Sequence, residues 1–204
     1  MKGNLLIISG PSGSGKGYIA SKLIENYDNF SLSISATTRN IRPGEVDGVN
    51  YFYKTRNEFE EMIKNGELLE YAEFVGNYYG TPKQFVLDKI NEGKNVLLEI
   101  EMQGALKVKE IFPDALLIFI AVPSLEELKY RLKNRARESE EDINNRIKQA
   151  KVDISYADKY DYVVMNDNIN EVLNDFEKII NGNFSKEDSN KNLQILKNIE
   201  KEIN

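Results

Sequence analysis

A glycine-rich segment near the start of the chain has the residue types and the spacing of a phosphate-binding loop. Residues 10–16 read GPSGSGK, with Gly10 and Gly15 five positions apart and Lys16 directly after the second glycine. Glycines let the main chain turn inward so that successive N–H groups face an anion, and the lysine reaches the outer phosphates. The same letters also occur in ordinary glycine-rich turns with a surface lysine, so the flanking elements decide between the two interpretations.

The elements on either side of this loop are those that a phosphate site requires. Residues 4–9 (NLLIIS) form a short apolar run, which is typical of a strand buried on both faces. Downstream, apolar side chains recur on one stripe of a predicted helix. One position departs from the usual pattern, because Gly17 stands where a serine or threonine would offer a hydroxyl to Mg²⁺, and Tyr18 follows it. The sequence therefore predicts a phosphate site but leaves the anchoring of Mg²⁺ open.

The composition excludes several kinds of chemistry. Among the 204 residues there is no histidine and no cysteine, which removes His-based triads and proton shuttles, disulfides and thiolate nucleophiles. The net charge of −6 argues against nucleic-acid or membrane partners, and the longest apolar run, residues 115–122, is too short to span a bilayer. We therefore expect a cytoplasmic protein that works on small molecules with carboxylates, cationic side chains, hydroxyls and main-chain amides.

Strand and helix patterns alternate along the chain. The most apolar strand is predicted at residues 116–122, and capping boxes at Thr55 with Glu58 and at Ser124 with Glu127 mark two helix starts. This alternation predicts an α/β fold with a parallel sheet flanked by helices, whose ligands bind at the carboxyl ends of the strands. The glycine-rich loop follows such an end.

A second candidate phosphate site lies in the loop at residues 37–48. Arg39 and Arg42 stand three apart, and Pro43 and Gly44 constrain the loop beside them. Two guanidiniums at this spacing suit one phosphate, which they can hold with several charge-assisted hydrogen bonds. Taken alone, the loop is equally well interpreted as a solvated segment with two surface arginines.

Five local patterns occur in one order along the chain: GPSGSGK at residues 10–16, TTRNIRPGE at 37–45, GNYYGT at 76–81, EMQGA at 101–105 and VMND at 164–167. In this order and spacing the sequence resembles the guanylate kinase family over about residues 4–181, and the combination is far more specific than any single motif. The resemblance implies a P-loop kinase core, a GMP-binding lobe and a helical lid. It also implies transfer of the terminal phosphoryl group of ATP to GMP, giving ADP and GDP, with Mg²⁺ as cofactor.

The resemblance also divides the chain into parts. The core comprises residues 1–34, 93–123 and 160–181, the GMP-binding lobe residues 35–92 and the lid residues 124–159, so that residues 1–181 form one guanylate kinase-like domain. Residues 182–204 remain as a polar, partly helical C-terminal tail. Neither the role of this tail nor the oligomeric state follows from the sequence.

Site residues of the family are carried over where this sequence matches its motifs. The implied ATP-binding residues are Gly10, Pro11, Ser12, Gly13, Ser14, Gly15, Lys16 and Gly17. The implied holders of the GMP phosphate are Arg39, Arg42, Tyr51 and Tyr79, and the implied guanine contacts are Ser35, Glu70, Thr81 and Glu101. The implied catalytic cations are Lys16 and three lid arginines, Arg131, Arg135 and Arg146.

The choice of Glu70 agrees with the chemistry of the base. Guanine presents two donors on its pairing edge, N1–H and N2–H₂, so one ionised carboxylate can accept both, whereas adenine presents an acceptor at N1. The alternative is a charge on a solvated strand, because residues 68–74 (LLEYAEF) alternate acidic and apolar side chains.

The lid arginines suit phosphoryl transfer without a histidine. Arg131 and Arg135 share a helical face, and fixed positive groups around the moving phosphoryl supply most of the catalysis in such reactions. The alternative is that these arginines pair with glutamates such as Glu127 or Glu141 on a solvent-facing helix. We expect both roles, one in each state of the lid.

A second departure from the family pattern concerns Glu99 and Glu101. The family commonly carries aspartate at the second position and often at both. The extra methylene could bring the carboxylate of Glu99 or Glu101 toward water-bound Mg²⁺ and compensate for Gly17, with Glu99 as the candidate metal ligand, or it could crowd the guanine pocket.

Two other functions stay open at this point. One is a guanylate-kinase-like binding module that docks a phosphorylated or acidic protein segment in the GMP site. The other is a kinase of the same fold that acts on a different phosphorylated metabolite. Lys16 and the lid arginines favour the kinase, because the docking branch of the family tends to lose them.

Overall fold

The computed structural model describes residues 2–134 and 139–203 of the chain. The strands are β1 Leu5–Ser9, β2 Phe30–Leu32, β3 Ala36–Thr37, β4 Phe52–Tyr53, β5 Leu68–Phe74, β6 Asn77–Pro82, β7 Asn95–Glu99, β8 Leu116–Ala121 and β9 Tyr162–Met165. The helices are α1 Lys16–Asn26, α2 Arg56–Lys64, α3 Lys83–Asn91, α4 Met102–Ile111, α5 Leu125–Lys133, α6 Glu140–Ser155, α7 Ile169–Ile180 and α8 Lys186–Glu202, with a short 3-10 helix at Ala157–Lys159.

The central sheet is parallel, has the order β2-β7-β1-β8-β9, and is covered by helices on both faces. Its middle strand β1 is apolar throughout because alternate side chains face opposite layers. Leu5 and Ile7 pack with residues of α3, α4 and α6, whereas Leu6 and Ile8 pack with residues of α1 and α7. The predicted α/β architecture is confirmed, and the glycine-rich loop leaves the carboxyl end of the central strand.

A smaller mixed sheet forms the lobe, with strand order β4-β3-β6-β5. Thr55 and Glu58 form the predicted capping box that starts α2. The helix buries Phe59 against this sheet, where its ring stacks on Tyr78 with centroids 5.2 Å apart. Strand β5 contacts α4 of the core, so side chains of the lobe lie beside the helix that follows β7.

Helix α5 packs directly over the glycine-rich loop. A Cβ added at Gly13 would lie 3.2 Å from a methyl carbon of Leu132 and 3.3 Å from one of Leu128. The capping box predicted at Ser124 and Glu127 is only half formed, which corrects that expectation. Ser124 accepts a hydrogen bond from the Glu127 main chain, but the Glu127 carboxylate accepts from Arg131 instead of turning back to the cap.

The C-terminal segment is an integral part of the fold. Helix α8 lies beside the edge strand β9, where the Val163 N–H donates to Ser189 Oγ and the Val163 carbonyl accepts from Asn192 Nδ2, each at 2.9 Å. Lys151 of α6 donates to the carbonyl of Ile203 at 2.6 Å. These side chains satisfy main-chain groups that an open sheet edge would leave exposed. In the described ranges, no helix is both long and apolar enough to cross a membrane.

Candidate active site

The glycine-rich loop wraps around the ammonium group of its own lysine. Lys16 Nζ donates to the carbonyl oxygens of Gly10 and Pro11 at 2.7 and 3.1 Å, and it lies 3.5 Å from Ser14 Oγ. The N-cap of α1 is Gly15, which has no side chain to cover the first N–H groups of the helix. Main-chain donors, a helix N-terminus and one cation therefore converge, which is the arrangement that binds phosphate.

Asn166 fixes the shape of this loop from the end of β9. Its Nδ2 donates to the Ser14 carbonyl at 2.7 Å, and the residue is buried. Gly15 has φ +90°, and a Cβ there would come within 2.4 Å of the same Nδ2. Only glycine combines this left-handed conformation with so close an approach.

Two of the predicted lid arginines contact the loop or its support. Arg146 Nη1 donates to Ser12 Oγ at 2.8 Å. Arg131 Nη2 donates to the Asn166 carbonyl at 2.8 Å, while its Nε donates to Glu127 at 2.7 Å. Arg131 thus has the predicted glutamate partner and also reaches the core. The third predicted arginine, Arg135, lies outside the described residues.

A large cleft, about 680 Å³, opens beside the loop. It lies between the loop, the carboxyl end of β7, the start of α4 and helix α6; its lining includes Gly10, Ser12, Lys16, Glu99, Glu101 and Asp153. Glu99 Oε2 lies 3.5 Å from the position that a Cβ on Gly17 would occupy, so its carboxylate stands beside the first turn of α1. Cations and carboxylates therefore meet at the end of β1, where open α/β sheets bind their ligands.

In the lobe, Arg39 is held by a carboxylate and by aromatic rings. Its Nη2 donates to Glu45 Oε1 at 2.8 Å, and its guanidinium carbon lies 5.4 Å from the ring centroid of Tyr51. The Tyr51 ring in turn meets Tyr79 edge to face, with centroids 6.1 Å apart. The structure therefore brings together three of the four predicted phosphate holders. The Arg42 side chain is exposed, and its main-chain N–H donates to Glu45 Oε2 at 2.8 Å.

Glu45 organises this cluster electrostatically. The Arg39 guanidinium and the Arg42 N–H lower the pKa of the Glu45 carboxyl to about 2, because both hydrogen-bond its charged form. The hydrogen bond to Glu45 in turn raises the pKa of the Arg39 guanidinium. Tyr53 also donates to Glu45, at 2.8 Å. Arg39 is consequently a permanent cation at a fixed position.

A second carboxylate site joins the lobe to α4. Thr81 Oγ1 donates to Glu70 Oε1 at 2.7 Å, while Glu70 Oε2 lies 3.5 Å from the position that a Cβ on Gly104 would occupy. Burial raises the pKa of Glu70, and the hydrogen bond from Thr81 partly opposes that effect. Glu101 is the N-cap of α4 and lines the cleft, whereas Ser35 is half-buried just before β3.

Three organising residues were not singled out from the sequence. Asn166 and Glu45 lie within the VMND and RPGE segments, so the motifs contain them. The role of Asn166 depends on Ser14, which is distant in sequence, and the role of Glu45 depends on how its loop folds around Arg39. Asp153 on α6 faces the cleft and accepts from Gln149 Nε2 at 2.9 Å. Burial raises the pKa of Asp153, although the hydrogen bond from Gln149 and the positive charge of Lys16 partly oppose this effect. No local pattern around Asp153 indicates this position.

A smaller pocket, about 390 Å³, lies on another flank of the loop. It is lined by Gly15, Tyr18, Arg131, Asn166, Asp167 and Ile169. It shares no lining residue with the large cleft. The loop is therefore reached from two separate cavities.

Comparisons with known proteins agree with this geometry. The family model described as guanylate kinase matches residues 2–183. The chain is 54% identical over 179 residues to the guanylate kinase of Oceanobacillus iheyensis, covering 88% of this chain and 87% of that protein. It is 50% identical over 194 residues to the guanylate kinase of Caldanaerobacter subterraneus subsp. tengcongensis, covering 95% and 94%. The crystal structure of guanylate kinase from Anaplasma phagocytophilum superposes with a TM-score of 0.66 at 36% identity, covering 91% of this chain and 88% of that one.

Proposed function

This chain belongs to the guanylate kinase family, and from that premise we propose how its residues transfer the terminal phosphoryl group of ATP to GMP. The observation that carries the proposal is one cleft that is lined both by the phosphate-binding loop and by a carboxylate predicted to contact guanine. The glycine-rich loop with Lys16 lies at one side of this cleft, and Glu101 lies at the other.

The donor phosphates bind in the glycine-rich loop. The amides of residues 10–17 and the N-terminus of α1 surround them, and Lys16 exchanges the carbonyls of Gly10 and Pro11 for phosphate oxygens. Asn166 keeps the loop in the required shape through its bond to Ser14. Because the donors are already oriented, little reorganisation accompanies binding.

The acceptor binds in the lobe. Arg39, Arg42, Tyr51 and Tyr79 hold the GMP phosphate, with Arg39 positioned by Glu45. Ser35, Glu70, Thr81 and Glu101 contact guanine. Thr81 donates to one oxygen of Glu70, which orients the carboxylate and leaves acceptor capacity for guanine N1–H and N2–H₂.

Transfer itself requires positive charge and alignment. An ionised oxygen of the GMP phosphate attacks the γ-phosphorus of ATP, the new P–O bond forms as the bond to the β–γ bridging oxygen breaks, and that oxygen leaves on ADP. No base is needed, because the attacking oxygen already carries charge. Lys16, Arg131, Arg135 and Arg146 stabilise the charge on the moving group and on the leaving oxygen.

The carboxylate of Glu99 is suited to bind Mg²⁺. It offers the hard oxygen ligand that this ion prefers, beside the turn where Gly17 supplies no hydroxyl. Across the residues that the structure describes, no group of three or more acidic side chains forms a metal cage. Glu99, together with phosphate oxygens and water, would hold the ion, and the ion would neutralise phosphate charge. The second predicted effect, that the longer side chain of Glu101 crowds the guanine pocket, stays a prediction.

The docking-module alternative is not favoured. The relatives at about half identity are guanylate kinases, and the glycine-rich loop of this chain retains Lys16 in a phosphate-binding geometry. A module that only docks a peptide in the GMP site does not require a loop that binds the phosphates of ATP.

An assay of ADP formation with GMP, AMP, CMP and UMP in turn tests the proposal. We expect turnover with GMP and little with the other three, because only guanine supplies two donors to Glu70. Equal rates with all four nucleotides, or none with GMP, would contradict it.

A further inference from the structure

Tyr18 occupies a position that the phosphate motif does not explain. It lies in the first turn of α1, two residues after Lys16, and its side chain is 54% exposed. A partly exposed aromatic ring beside a phosphate-binding loop offers apolar surface that a bound ligand can cover. Its ring lines the smaller pocket, together with Gly15, Arg131 and Asn166.

The position of the acceptor indicates which nucleoside reaches this pocket. In phosphoryl transfer the attacking and leaving oxygens are in line, so the two nucleosides extend from opposite ends of the phosphate chain. The acceptor side of the loop is the large cleft, where Lys16, Glu99 and Glu101 lie. The smaller pocket shares no lining residue with that cleft. A donor whose phosphates fill the loop therefore places its nucleoside in the smaller pocket.

We propose that the face of the Tyr18 ring contacts the nucleoside of ATP and sets much of the affinity for the donor. The neighbouring groups suit this role. Lys22, one turn further along α1, has its ammonium 5.7 Å from the ring centroid, and Arg131, held by Glu127 and Asn166, presents a fixed planar cation to the same pocket. Bases stack both on aromatic rings and on guanidinium planes.

The inference rests on the proposed donor site. It assigns the contact with ATP to the aromatic ring of Tyr18 and not to its hydroxyl. If the phenol instead replaced the hydroxyl that Gly17 lacks, its oxygen would matter and the ring would not. Tyr18→Leu removes the ring and keeps helix propensity, whereas Tyr18→Phe removes only the oxygen. Because the side chain is largely exposed, neither change should lower the melting temperature appreciably.

Calorimetric binding of a non-hydrolysable ATP analogue and of inorganic tripolyphosphate provides the test. Tripolyphosphate has the phosphate chain without a nucleoside, so it reports on the loop alone. We expect Tyr18→Leu to weaken binding of the ATP analogue about tenfold, with tripolyphosphate binding unaffected and most of the loss recovered in Tyr18→Phe.

Three results would overturn the inference while the donor site itself remained in place. Unchanged ATP-analogue affinity in Tyr18→Leu would show that the ring makes no contact, and an equal loss of tripolyphosphate affinity would assign Tyr18 to the loop. A loss in Tyr18→Phe as large as in Tyr18→Leu would assign the effect to the hydroxyl. Failure of the unmodified protein to bind either ligand would instead remove the donor site itself, and the inference with it.

Discussion

The two proposed phosphate-binding regions of this enzyme offer different kinds of hydrogen-bond donors. The glycine-rich loop offers main-chain amides, and it is contacted by Asn166 at the Ser14 carbonyl and by Arg146 at the Ser12 side chain. The proposed site in the lobe offers side chains, and its central cation Arg39 is already paired with Glu45. One site is a preformed cage, whereas the other must exchange or share a partner when phosphate arrives.

This difference separates two kinds of specificity. A cage of amides recognises the geometry of a phosphate chain and tolerates any nucleoside attached to it, so donor preference must come from surrounding side chains such as Tyr18. In the proposed acceptor site, the hydrogen-bonded pair of Glu70 and Thr81 contacts the base while the arginines hold the phosphate, so that base and phosphate are recognised together. Substitutions in the two regions should therefore affect different kinetic constants.

Loss of the cation in the cage is expected to have the largest effect. Lys16→Met should reduce turnover by a factor of about 100 or more, because the ammonium acts on the transferring phosphoryl, while GMP binding persists. Rates and GMP affinity measured together check this. Lys64→Met, a change of an exposed lysine on α2, is the matched control. An unchanged rate in Lys16→Met would mean that the loop does not bind the donor.

Loss of the central cation in the lobe should act on the acceptor alone. Arg39→Ala is expected to raise the KM for GMP about 100-fold, since two charge-assisted hydrogen bonds to phosphate disappear, and to leave the KM for ATP nearly constant. The control is Arg56→Ala, which removes an exposed arginine of the same lobe. Parallel increases in both KM values would mean that the two sites are not independent.

The base-reading carboxylate should have a smaller effect and a pH signature. Glu70→Gln should cost about 1 to 3 kcal/mol of GMP affinity and narrow the preference for GMP over AMP. Because burial raises the pKa of Glu70, protonation begins at a higher pH than for an ordinary glutamate, and GMP affinity falls as pH decreases through that pKa.

The ratio of GMP affinities of the unmodified protein and Glu70→Gln isolates this titration, because the ionisation of the GMP phosphate cancels. Glu45 stays charged over the same range, since its pKa is about 2. The ratio should fall toward one at acidic pH. Glu73→Gln, an exposed position on the same strand, is the control. A ratio that does not vary with pH would remove Glu70 from the guanine site.

The smallest expected effect concerns the support of the cage. Asn166→Ala removes the hydrogen bond to the Ser14 carbonyl and should raise the KM for ATP about fivefold, which corresponds to about 1 kcal/mol. The KM for GMP should stay constant, and Asn170→Ala on the exposed side of α7 serves as control. An increase in the KM for GMP alone would contradict the assignment of Asn166 to the donor site.

The same contrast explains what could be predicted from the sequence. The loop at residues 10–16 was predictable because strand, glycines, lysine and helix are contiguous, and its geometry follows from local conformation. The pairing of Arg39 with Glu45 was not predictable, because charged side chains of one loop can pair in many ways before the lobe folds. The position of Asn166 beside Ser14 joins residues far apart in sequence, which no local pattern indicates.

The C-terminal segment shows the same limit at the level of the fold. Its apolar spacing indicated a helix that could rest on the body or on a partner. Only tertiary structure shows that Ser189 and Asn192 complete the hydrogen bonds of β9. The predicted roles of individual site residues, by contrast, stay predictions until the variants above are measured.

Transfer of a labelled phosphoryl group tests the central claim most directly. With ATP labelled at its terminal phosphorus and GMP in excess, the label should appear on the terminal phosphate of GDP at the rate at which ADP forms. Label that appears only as inorganic phosphate, or stays on ATP, would contradict direct transfer between the cage and the lobe.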